Sequence, residues 1–261
     1  MADQREWFKG ESSRGYNYTY CEGEHVSLTE LKNDNKFLKT SNNGYLRNKN
    51  IPDYPEYVFS GSEVCHVTDK RGLEGIFSDG GFKANGSFLW WSLSVPDYYL
   101  SKETTSPAFQ DESRYGNFRF TLPLRELLNL YRKQYRDSNA PVLRVLDTQV
   151  YKQEILYSIL VHPRYMRHYR KYPNLPFDDE SVCGYRKGSW FWRCQSPSNK
   201  YFVWDHVGVA FHMKPGQILN VDPDRLADSL SACEVASKNL LREPKRAITL
   251  PEAEKIVDYY K

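Results

Sequence analysis

The chain has 261 residues with 36 Lys and Arg against 33 Asp and Glu, a formal charge of +3, which allows one sizeable core and excludes a globally polyanionic or polycationic character. Aromatic residues reach 15%, with 20 Tyr and 6 Trp, rings that bury area yet keep a polar tip and so suit wet, ring-lined grooves as well as a core. Cys21, Cys65, Cys183, Cys194 and Cys233 are odd in number and irregular in spacing, and no run is apolar enough for a leader or a membrane span, so the expectation is a soluble cytoplasmic or nuclear protein without disulfides, metal or membrane partner.

Residues 1–50 are rich in Asn, Lys, Ser and Gly, and their periodicity is weak apart from Val26 to Phe37. They read as an N-terminal arm or cap, partly irregular, ahead of a single domain over 51–261 that carries a C-terminal extension. The pattern predicts strands near 57–60, 63–68, 87–92, 115–122, 141–147, 154–162 and 200–212. Leu73, Ile76 and Phe77 form the stripe of a short helix that Gly80-Gly81 ends, and Leu124, Leu127, Leu128 and Tyr131 form a second. Asp222-Pro223 opens a third helix, and Thr249 with Glu252 makes a capping box for a last one. Residues 164–198 read as long loops with short strands. The fold class is α+β, strand-rich, with interspersed helices.

Two segments carry the candidate chemistry. In Val64-Cys65-His66-Val67-Thr68 the period of a strand puts His66 and Thr68 on one face. Glu154 opens the apolar run Ile155 to Val161, where a carboxylate at the mouth of a central strand faces either a cleft or solvent.

His66-x-Thr68, Gly72-Leu73-x-x-Ile76, Gly81-Phe82, an aromatic strand ending in Ser92, and Gln153-Glu154 opening a later strand together resemble the ADP-ribosyltransferase fold, in its poly-ADP-ribose polymerase-like and DarT-like branches. The likeness covers roughly 60–163. It implies NAD as substrate, with His66 on a ribose hydroxyl, the Val67 backbone on the nicotinamide amide and Thr68 supporting that wall. Trp90, Trp91, Tyr98 or Tyr99 would stack on nicotinamide with Ser92 bonding nearby. Glu154 would hold the ribose 2′-hydroxyl and stabilise the oxocarbenium-like transition state. Many polymerase-like members have Gly where Val67 stands, but a strand residue at that position points away from His66 and leaves its backbone usable.

Rival sites are weaker. His206 and His212 alternate onto one face of a predicted strand, but six residues span about 20 Å, too far to share one zinc ion. No Walker A, GxGxxG or GxSxG motif occurs. Arg164, Arg167, Arg170 and Lys171 interleave with Tyr165, His168 and Tyr169, as nucleic-acid surfaces do and as solvated loops do. The expected function is mono-ADP-ribosyl transfer from NAD to a protein or nucleic-acid acceptor. The alternatives are a silent domain of the same fold that binds a nucleotide, nucleic acid or protein in host defence, and an RNA-processing enzyme that uses histidines as acid and base.

Overall fold

A computed structural model of the chain describes residues 6–11, 17–27, 62–94, 115–134, 141–151, 154–164, 167–176, 183–186, 189–192, 206–235 and 247–261. Nine strands form one mixed sheet. From one edge to the other they are β1 (Phe8–Glu11), β2 (Asn17–Glu22), β7 (Val142–Tyr151), β8 (Glu154–His162), β11 (His206–His212), β5 (Phe88–Ser94), β3 (Glu63–Thr68), β6 (Phe118–Pro123) and β13 (Leu230–Ala232). Two small ribbons stand beside it, β4 (Gly81–Lys83) with β12 (Ile218–Asn220), and β9 (Cys183–Arg186) with β10 (Ser189–Trp192).

Strand alternation sorts the central side chains onto two faces. Val64, Trp91, Val209, Ile159 and Val161 lie on the face covered by the helices α1 (Lys70–Asp79), α2 (Leu124–Gln134), α3 (Pro223–Ser229) and α4 (Leu250–Tyr260). Leu73 and Ile76 of α1, Leu127 and Tyr131 of α2, Leu226 of α3 and Val257 of α4 complete that core. A smaller cluster, Leu146, Leu160 and Ala210 with Phe88 and Tyr172, sits on the opposite face. The fold class is therefore α+β, with a strand-rich sheet and four helices among the described residues.

Local chemistry explains the helix boundaries. Asp69 caps α1 by accepting from the Gly72 N–H at 2.9 Å, and Gly80, at φ 68°, ends it in the left-handed conformation that glycine adopts without steric cost. Asp222 caps α3 ahead of Pro223, and the Thr249–Glu252 box opens α4. The N-terminal arm contributes more than expected, because β1 and β2 form a hairpin that extends the sheet beside β7. Strand β1, Phe-Lys-Gly-Glu, is mostly exposed and carries no apolar alternation, so it had no periodicity to read. The expected strand at 57–60 lies outside the described residues.

Candidate functional site

The sheet forks beside His66. Strand β3 pairs with β6 along all of Glu63–Thr68, but with β5 only over Glu63–Cys65. Past the last shared rung, Cys65 with Ser92, the chain of β5 continues on β11 alone. The backbone edge of residues 66–68 that faced β5 is thereby released from the ladder.

One side-chain bond spans the fork, from His66 Nδ1 to the Trp90 carbonyl at 3.0 Å. A carbonyl oxygen only accepts, so Nδ1 carries the hydrogen, and in the neutral ring Nε2 is left as an acceptor. Burial holds the His66 pKa below its ordinary value, with the Trp90 carbonyl pulling the other way, so the ring is neutral at pH 7. The imidazole packs against Phe82 and Trp91, at centroid separations of 5.3 and 5.4 Å.

Thr68 shares the His66 face, as the period of two requires, but its hydroxyl is committed to packing. A Cβ on Gly72 would stand 1.8 Å from Thr68 Oγ1, so the threonine seats the first turn of α1 directly against the strand. Val67 points to the other face and presents its backbone at the fork. Trp91 is on the His66 side but only 2% exposed, packed 4.6 Å from Phe82. Trp90 is 42% exposed and belongs to the opposite face, with its ring over Gly208. Ser92 is half-buried on the last shared rung. Tyr98 and Tyr99 lie outside the described residues.

Glu154 does open β8, as expected, where it pairs with Tyr151. The register then decides its distance from His66. Cys65, Ser92, Gly208 and Ser158 form one row across β3, β5, β11 and β8. Glu154 is four residues before that row, His66 is one residue beyond it, and three strand spacings lie between, which together separate the two backbones by about 20 Å. The structure brings His66, Thr68 and Trp91 together on one face, places Ser92 on the opposite face with Cys65 and Trp90, against the expected bonding beside His66, and leaves the Glu154 backbone apart from all of them.

No protein-family model matches the chain, and no curated protein or solved structure matches it.

A second cluster was not anticipated. Strands β8 and β11 run parallel and in register, so the histidines that end them, His162 and His212, lie side by side with ring centroids 6.0 Å apart. His162 is 1% exposed, and neither ring nitrogen has a hydrogen-bond partner. Tyr169, from a short 3-10 turn (Arg167–Lys171), covers it edge-on at 5.0 Å, and the Arg144 guanidinium lies 5.4 Å from the same tyrosine ring. Arg164, Arg170 and Lys171 are exposed around this end of β8, and Arg167 begins the turn. The sequence did hold a signal: two runs apolar on both faces, 155–161 and 207–211, each end in histidine. Among the described residues no group of three His, Cys, Asp or Glu stands close enough to hold a metal, and no helix is long and apolar enough to cross a membrane.

The histidines make stability depend on pH. Burial is the largest cause lowering the pKa of His66, His162 and His212, and the neighbouring positive groups Arg144 and His212 lower that of His162 further against nearby backbone carbonyls. A histidine with a lowered folded pKa contributes stability that is whole above the unfolded value near 6.5 and is lost as the pH falls through the folded value. The urea midpoint should therefore fall between pH 7.5 and 5, and His162→Gln should flatten part of that fall. A variant with the slope of the wild type would show that His162 does not titrate as its surroundings demand.

Proposed function

We propose that the protein binds NAD at the fork beside His66 and transfers single ADP-ribose units to a macromolecular acceptor, protein or nucleic acid. The observation that carries this reading is the parting of β3 from β5 at the residue whose imidazole is already oriented. A neutral ring with Nδ1 spent on a carbonyl offers Nε2 to a ribose hydroxyl, and the released edge of residues 66–68 offers backbone groups to a carboxamide. Because Trp91 is packed and Trp90 faces the other way, the nicotinamide-stacking ring in this reading is Tyr98 or Tyr99. In the reaction the bond from ribose C1′ to nicotinamide breaks with its electron pair on the departing base, and the acceptor nucleophile bonds to C1′ and gives up its proton.

One observation favours a second reading. Glu154, its backbone about 20 Å away by register, is too distant to steady a cation forming beside His66, and an ADP-ribosyltransferase-like domain without that carboxylate would bind nucleotide and not turn it over.

Calorimetric titration with NAD and chromatographic assay of released nicotinamide separate the two. Binding in the micromolar to low millimolar range is expected, with His66→Ala weakening it about tenfold, the upper range for one hydrogen bond. Glu154→Gln should leave NAD affinity unchanged. Nicotinamide release that survives Glu154→Gln supports transfer through another carboxylate, release that it abolishes restores Glu154 to the site, and binding without release establishes the silent domain. No NAD binding at millimolar concentration removes both readings.

A further inference from the structure

The His162–His212 cluster lies on the sheet face opposite His66 and is independent of the NAD reading. Two rows of side chains cross the sheet there. Phe88, His212 and His162 make the first, and Trp90, Ala210, Leu160 and Arg144 the second. The rings touch in sequence: Trp90 to Phe88 at 6.0 Å, Phe88 to His212 at 5.7 Å, His212 to His162 at 6.0 Å, and His162 to Tyr169 at 5.0 Å. At one end is the exposed Trp90, and at the other are the cations.

The chemistry of the second end selects an anion. Arg144 keeps its guanidinium beside the imidazole pair, bonded through Nη1 to Asn174 Oδ1, while its Nε is buried without a partner. His162 is fully buried with both nitrogens unpartnered, a polar group that a fold retains at a cost unless something bonds to it. A metal ion fails on two counts, because the guanidinium repels it and no third ligand stands near among the described residues. A phosphate oxygen fits, since it accepts from Arg144 and from histidines that protonate as it arrives. The groups facing the pair are Arg144 from β7, and His168, Tyr169, Arg170 and Lys171 from the turn, with Arg164 directly after β8. Asp147 and its cross-strand partner Glu22 put carboxylates on this face too, on the rung of Ser158, about 13 Å or more down the strand.

We propose that this face binds single-stranded nucleic acid, with a backbone phosphate on Arg144 and His212 that reaches His162 as Tyr169 swings off it, and bases stacked on Trp90 and Phe88. A strand fits better than a free nucleotide because the stacking and cationic ends lie three strand spacings apart, about 15 Å, and successive nucleotides bridge such a distance with alternating rings and phosphates.

The test is fluorescence anisotropy of a labelled 12-nucleotide single strand, at 50 and 200 mM salt and at pH 6 and 8, with the histidine ring signals of the wild type followed by NMR. Binding is expected to weaken with salt and to tighten at least threefold from pH 8 to 6, with the His162 and His212 signals shifting on titration. Trp90→Ala and Arg144→Gln should each weaken binding about tenfold, the scale of one stacked base or one charged hydrogen bond. His162→Gln should remove part of the pH dependence, and the NMR signals report on the site should that variant fail to fold. Any of four results overturns the proposal: no association at 50 mM salt, binding that leaves both histidine signals unmoved, a duplex bound as tightly as the single strand, or AMP bound as tightly as the 12-mer, which would make the site one for a free nucleotide.

Discussion

Replacing Gly116 by Ala is expected to cost about 3 kcal/mol or more of folding stability, because the new methyl has only backbone to meet. Its carbon would stand 2.2 Å from the Thr68 carbonyl oxygen, 2.4 Å from the Thr68 carbonyl carbon and 2.5 Å from the Asp69 nitrogen. None of those atoms swings aside as a side chain does. Moving them shifts the end of β3 just beyond His66, together with the residue that caps α1, so the NAD binding proposed at the fork should weaken with stability. Gly72 offers the contrast. Its added methyl meets Thr68 Oγ1, a side-chain atom. Thr68→Ala should therefore relieve most of the strain of Gly72→Ala and none of that of Gly116→Ala. Urea unfolding of the three variants and the two double variants measures this. A loss under about 1 kcal/mol for Gly116→Ala would show that the strand end yields easily.

That crowding also marks where reading the sequence stops. Residues 63–68 could be recognised as a strand, and His66 with Thr68 as sharing a face, because both follow from a period of two within one segment. The glycine that ends α1 and the caps that open α3 and α4 were legible for the same reason, since these are chemistry among residues close in the chain. Glu154 was placed correctly at the head of its strand, yet its distance from His66 depends on which strands intervene and in what register. Pairings of β5 with both β3 and β11 leave no trace in local periodicity. The fork itself is of this kind, a long-range pairing that ends after three rungs on one side and continues on the other. His162 and His212, fifty residues apart in the chain, meet only because β8 and β11 run parallel and level. The hairpin of β1 and β2 was missed for the opposite reason, since β1 is mostly exposed and carries no apolar alternation.

The two faces use histidine differently. His66 has one nitrogen satisfied and is held neutral for hydrogen bonding, so its affinity for a hydroxyl should vary little above pH 7. His162 has neither nitrogen bonded and lies beside a guanidinium, so burial and that charge hold its pKa down, and an arriving negative charge favours its protonation. A ligand at the fork and a ligand on the opposite face therefore differ in their response to pH.

Asn117→Ala should cost about 3 kcal/mol, because this one buried side chain, 3% exposed, ties the C-terminal segment to the sheet through three bonds. Its Nδ2 donates to the Cys233 carbonyl at 3.1 Å and to the Ile248 carbonyl at 3.0 Å, and its Oδ1 accepts from the Ile248 N–H at 3.1 Å. Alanine removes all three of these bonds, one of them buried and two part-buried. The helix they hold, α4, stacks Tyr260 on Phe77 of α1 at 4.2 Å, so its loosening reaches the helix that starts beside the fork. Asn117→Asp separates bonding from bulk. Ionised aspartate keeps the acceptor for Ile248 but turns a second oxygen on two carbonyls, whereas the protonated acid donates to one of them. Its folded pKa is therefore raised, and a carboxyl with a raised folded pKa contributes stability that is whole below the unfolded value near 3.9 and is lost as the pH rises. The deficit of Asn117→Asp against the wild type should shrink between pH 7.5 and 5, while that of Asn117→Ala stays constant. Thermal unfolding at both pH values decides it, and parallel deficits for the two variants would mean that the Asn117 amide is not what anchors Ile248.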